Sequence, residues 1–421
     1  MSDTQVGARV RAGTSAVHGV GAVEGVGGAS GRSRAPSERP ISPWVFALVA
    51  TASFGGPLAL AAAGAPGLVD DAGDSAGLAM LAAAVVFTAP LAIWLRYSRD
   101  VNSAGGLYGF VEAAAGRRVA LAHAAVWTFS YGLYIVYTTV QIVYDLLPEV
   151  VPGVRGYQTL LALLIPVAIV TVMIAGRAAT LIVLGLMAAG QLVLAGILDG
   201  VTLANISTPV SSFGAGAPAG ALAKASAQTS LLYVCGSLPL FLGGELATPV
   251  HTIRRGLTAA FLVAATVIVL AVAPLAAAPG LLHTEIPGVS VAQQFSGPGL
   301  ARAIGVGVAV STAGVIVWEY LALTRLARAI TRRPIRPIAA VIGAGVVLAA
   351  PFTLIDPEGF YSTLLEPSLI ALWVSQLMVF AVFPLFARKR GLRIWPACAL
   401  SGIASAFAVY GIVTALQSAS S

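Results

Sequence analysis

Residues 233–249 read YVCGSLPLFLGGELATP, an apolar run that Gly236 and Pro239 interrupt and Glu245 nearly closes. Glycine loosens a helix, proline removes an N–H and crowds the preceding turn, and lipid rejects a carboxylate. A second interruption, Ser53-Phe54-Gly55-Gly56-Pro57, lies near the other end of the chain. How these two stretches are read decides the fold.

The rest of the chain supplies their setting. Of 421 residues, 58% are hydrophobic and 10% charged. Polar surface cannot cover such a chain, so it reads as an all-α polytopic membrane protein. A bilayer core of roughly 30 Å takes about 20 apolar residues as helix. Eleven segments meet that length: 44–64, 77–95, 120–147, 157–175, 180–198, 229–246, 257–278, 300–323, 338–355, 367–386 and 394–416. Residues 1–42, rich in Gly, Ala, Ser and Arg, cannot bury a core and read as a disordered tail.

Charge orients these segments. With the N-terminus in the cytoplasm, every Lys and Arg except Arg155, Lys224 and Arg302 falls in the tail or in an inner loop. Asp70, Asp71, Asp74, Glu149, Glu285, Asp356 and Glu358 gather on the other side. This alternation follows the positive-inside rule and places the chain in the plasma membrane, with the C-terminus outside. The net charge of +7 is therefore a topology signal, and no nucleic-acid partner is expected. Neither the two cysteines nor the four histidines have metal-ligand spacing, and no G-x-x-x-x-G-K-[ST] loop is present, so neither a metal nor another cofactor is expected.

The two interruptions fall in the first and sixth spans, which a five-plus-five inverted repeat would pair. Unwound backbone at membrane depth is tolerated where it lines a protein cavity, and matched breaks mark a midplane site. Half-helix N-termini there offer N–H groups to an anion, and freed carbonyls face a cation. The expected organisation is a tail (1–42), a first repeat (43–203), a second repeat (204–390) and one additional helix with a short end (391–421).

Three stretches resemble the amino acid–polyamine–organocation (APC) permeases. Ser103-Ala104-Gly105-Gly106-Leu107-Tyr108, then Gly116 and Trp127, resembles that family's signature between helices two and three. Gly244-Glu245-Leu246-Ala247-Thr248-Pro249 with Thr252-Ile253-Arg254-Arg255 is similar to its pattern after helix six, and Leu323-Thr324-Arg325 through Arg333-Pro334 to the one after helix eight. The chain departs from the family in having eleven spans where twelve are usual, in CGSLP at helix six, and in Thr248 where Asn is usual. The resemblance implies a LeuT-like core and a secondary transporter for an amino acid, amine or similar small organic solute. It implies that Ser53, Phe54, Gly55 and Gly56 receive a substrate carboxylate, and that Cys235, Gly236 and Ser237 receive its amino group. Phe129, Ser130 and Tyr134 become candidate side walls. Ser311 and Thr312 fall where related transporters help coordinate sodium, so the coupling ion would be Na+, or H+ if an intramembrane acid carries it.

Three acids fall within spans. Glu245 and Glu319 are expected about one turn from the cytoplasmic end, either pairing with Arg96, Arg254 or Arg325 or forming an inner gate. Glu366, before Pro367, reads as a helix N-terminal residue favoured by the dipole. Trp44, Trp94, Trp318 and Trp395 read as interfacial anchors, and 103–118 as a short helix at the inner surface. The competing readings are a major-facilitator-like carrier, which Gly116-Arg117-Arg118 echoes, a channel, and an integral membrane enzyme. Oligomeric state is left open.

Overall fold

The computed structural model describes residues 40–68, 70–206, 211–282 and 284–418. Residues 1–39, which make up most of the expected tail, lie outside the described residues. Among the described residues, eleven helical spans are long and apolar enough to cross a membrane: Pro43–Gly64, Ala72–Tyr97, Arg117–Val150, Pro152–Ala175, Arg177–Asn205, Ala219–Glu245, Pro249–Ala277, Pro298–Thr331, Ile335–Leu354, Pro357–Lys389 and Ile394–Gln417. They are numbered 1 to 11 below. Among the described residues the only extended pairing is an isolated bridge between Ile41 and Leu246.

Spans 1 and 6 form the centre. Their apolar stretches are 72% and 78% buried, against 22% for span 9. The packing obeys an exchange of span n with span n + 5. Span 1 lies on span 7 as span 2 lies on the first half of span 6, and span 3 lies on span 10 as span 8 lies on span 5. That correspondence is the five-plus-five repeat, with span 11 packed on spans 2 and 10.

Local chemistry sets the ends. Ser42 caps span 1 by accepting from the Val45 N–H at 3.3 Å, and Pro43 follows at the first helical position, where no N–H is needed. Asp356 caps span 10 in the same manner, accepting from the Gly359 N–H at 3.1 Å. Because span 10 starts at Pro357, Glu366 sits inside a continuous helix and is not at its N-terminus. Pro367 had suggested a boundary, but the helix accommodates it internally.

Span 8 holds a larger difference. It continues to Thr331, so Glu319 stands about three turns from its end. Trp94 and Trp318, expected as interfacial anchors, are core residues; the Trp318 indole N–H donates to the Val49 carbonyl at 3.0 Å. Trp44 and Trp395 are exposed, as anchors require. A short helix at Leu107–Ala115 precedes span 3.

Candidate functional site

Span 1 is α-helical from Pro43 to Ser53, turns at Phe54–Gly56, and resumes at Pro57. Gly55 and Gly56 have φ of +71° and +69°, where only glycine is unstrained. Space confirms the requirement. A Cβ on Gly56 would collide with the Ser311 hydroxyl, and one on Gly55 would come within 2.8 Å of Leu60.

Span 6 breaks differently from the expected unwinding over Cys235–Pro239. Its α-helix ends at Leu231, and Val234–Glu245 continues as a 3₁₀ helix. Pro239 lies inside this run, and 3₁₀ runs of this length are uncommon. Cys235, Gly236 and Ser237 are buried within it, and a Cβ on Gly236 would strike the Phe54 ring. The two interruptions therefore meet face to face.

A cavity of about 730 Å³ reaches the span 1 side of this meeting point, at Gly55, from the side carrying the acidic loops. Asp145, Glu149, Arg155 and Glu285 line its outer part; Tyr134, Gly55, Thr312 and Val315 line its deep part. Two wide turns border it, Leu60–Gly64 in span 1 and Gln141–Leu146 in span 3. In the first, the Ala65 N–H reaches the Leu60 carbonyl at 2.7 Å, five residues back. Such π-turns often mark functional sites. No residue pattern announces them, and they escaped the sequence reading, as did the acidic lining by Asp145.

At the opposite end an ion triad ties spans 5, 6 and 8 together. Arg325 Nε donates to Glu245 Oε1 at 2.9 Å, and Arg177 Nε lies 3.3 Å from Glu245 Oε2. The expected partner Arg325 is present; Arg177 was not anticipated. Nearby, the Ile41 N–H reaches the Glu245 carbonyl at 3.5 Å, and Gly243 and Gly244 press on the backbone of Ser103 and Ala104. Gly106, at φ +49°, lies against the Phe241 ring. The Gly-rich stretch before span 3 thus braces the inner half of span 6.

The remaining candidates separate. Ser53 donates to its own helix at Ala50, 2.7 Å. Ser311 donates to Gln191 Oε1 at 2.6 Å and accepts weakly from the Ala59 N–H at 3.4 Å, tying spans 1, 5 and 8 together. Thr312 bonds the Val308 carbonyl and faces the cavity. Ser130 is not a cavity wall: it and Ser368 donate to each other's carbonyls at 2.8 and 2.9 Å, clamping span 3 to span 10. Phe129 is 55% exposed and is not brought to the site, since it points from the outer face of span 3. Asp199, buried in span 5 with Oδ1 unpartnered, is an intramembrane acid that the sequence reading passed over.

No protein-family model matches the sequence, and no curated protein matches it. Among solved structures, the chain is similar in fold to MhsT, crystallised in complex with L-phenylalanine. The TM-score is 0.62 at 14% identity, over 91% of this chain and 99% of MhsT. The LeuT-like architecture is common to both chains, and it excludes the major-facilitator alternative.

Proposed function

We propose that the chain is a secondary active transporter that moves an amino acid, amine or similar small organic solute across the plasma membrane by alternating access. The observation carrying this reading is the asymmetry of the central route. A deep cavity opens at the acidic face and ends at the span 1 break, while an ion triad ties spans 5, 6 and 8 together at the basic face. With basic loops cytoplasmic, this is an outward-facing conformation with a closed inner gate. A dead-end cavity suits a carrier better than a channel, and its volume suits a small organic ligand. That MhsT binds L-phenylalanine supports an amino acid as the solute. Membership of the APC permeases rests on the three stretches quoted above.

In this reading Gly55 and Gly56 present backbone to the solute, Tyr134 and Thr312 wall it, and Glu245 gates its exit. The repeats divide near residues 203 and 390. Purified protein in proteoliposomes is expected to take up a labelled L-amino acid saturably, and Gly236→Leu to abolish uptake with insertion intact. Ohmic current, or uptake indifferent to that substitution, contradicts the reading.

A further inference from the structure

We propose that Glu319 is a proton-binding site, holding the proton that this chain moves with its solute; the inference rests on the transport reading above. Glu319 lies on span 8 one turn below Val315 and two below Thr312, both of which wall the cavity. The cavity stops above it. The side chain has no exposed surface, and among the described residues neither carboxylate oxygen has a hydrogen-bond partner.

Its neighbours are polar but carry no compensating charge. Tyr131, Tyr134 and Tyr137 of span 3 and Cys235 of span 6 come close to it, where those spans pack on span 8. The Tyr131, Cys235 and Ser237 side chains are buried beside one another. Tyr361 of span 10 joins the same group of rings through Tyr137 at 5.4 Å. Span 1 has no ionisable residue, and spans 4 and 9 carry Arg155, Tyr157 and Arg336 only at their ends. Arg177 of span 5 and Arg325 of span 8 are held by Glu245, while Asp199 is another acid.

A sealed carboxylate without a counter-charge is far more costly than the uncharged acid. The missing positive charge needs a source. An ammonium group or metal ion requires ligand-sized space, and the cavity ends a turn above; a proton requires none. In the outward-facing state, cavity water beside Tyr134 supplies the proton. One O–H bond of hydronium breaks, an O–H bond forms on Glu319, and water is left. When Glu245 parts from Arg177 and Arg325, water arrives from the basic face. The Glu319 O–H then breaks and hydronium departs. No electrons change hands, and two opposite openings give the proton a direction.

Infrared difference spectroscopy tests the site without any solute. At neutral pH the purified wild type minus Glu319→Gln should show the C=O stretch of a protonated carboxylic acid. A difference containing only carboxylate bands overturns the proposal. In proteoliposomes, labelled L-phenylalanine uptake by the wild type should follow an inside-alkaline gradient. Glu319→Gln, a fixed neutral mimic, should lose that accumulation and keep equilibrium exchange. Undiminished gradient-driven accumulation by Glu319→Gln also overturns it. If no labelled amino acid enters under any gradient, the transport reading fails, and the infrared difference still decides Glu319.

Discussion

Glu245 and Glu319 belong to spans 6 and 8, and their surroundings are opposite. Two guanidinium groups hold Glu245, at 2.9 and 3.3 Å, whereas among the described residues no group hydrogen-bonds Glu319. Removing one member of a buried pair strands the other charge, while neutralising a lone buried acid strands nothing. The two acids should therefore answer substitution in opposite ways: one braces a conformation and the other is positioned to exchange with a medium.

The largest effect is expected at the paired acid. Glu245→Ala leaves Arg325, whose side chain is 4% exposed, without its partner. A loss of about 3 kcal/mol is expected, read as a lower melting temperature in detergent. Adding Arg325→Ala should restore part of it, and full additivity of the two losses would show that the pair does not interact. Next comes the seam between the broken spans. Gly236→Ala forces a methyl against Phe54, and overpacking of this kind costs about 1–3 kcal/mol. An unshifted melt would mean that the spans are not so closely apposed.

Smaller effects sharpen the contrast. Ser130→Ala removes one of the two reciprocal bonds to Ser368 and should cost about 1 kcal/mol without changing solute affinity. An altered affinity would return Ser130 to the binding site. Glu319→Gln should shift the melt by less than about 1 kcal/mol despite the complete burial of the side chain. A loss as large as that of Glu245→Ala would mean that Glu319 has a charged partner after all. Phe129→Ala, on the outer face, should stay within about 0.5 kcal/mol and leave uptake unchanged.

Much of this architecture is legible in residue types. Length and apolarity yield the eleven spans, and Gly55-Gly56-Pro57 marks a break because two positive φ values and a missing N–H fall together. What escaped depends on distance along a helix or on partners remote in sequence. Arg325 and Arg328 suggest an interface, yet span 8 carries them on to Thr331, and so the depth of Glu319 was underestimated. Among the described residues neither oxygen of the same acid has a hydrogen-bond partner. CGSLP marks the correct half of span 6, but Pro239 lies inside a 3₁₀ run in place of an open loop. Ser130 and Phe129 lie beside Tyr134 in sequence, and only the packing of span 3 against span 10 separates their faces. The turns at Leu60–Gly64 and Gln141–Leu146 have no compositional mark at all.

The central claim is that the solute route opens at the acidic face and ends at the span 1 break. Ala59→Cys, in a background lacking Cys235 and Cys398, puts a thiol on the wall of the cavity beside that break. In sealed, right-side-out vesicles, a membrane-impermeant thiol reagent added outside should label it, and a transported amino acid should protect it. A thiol that reacts only from the cytoplasmic side, or one that no solute protects, contradicts the account.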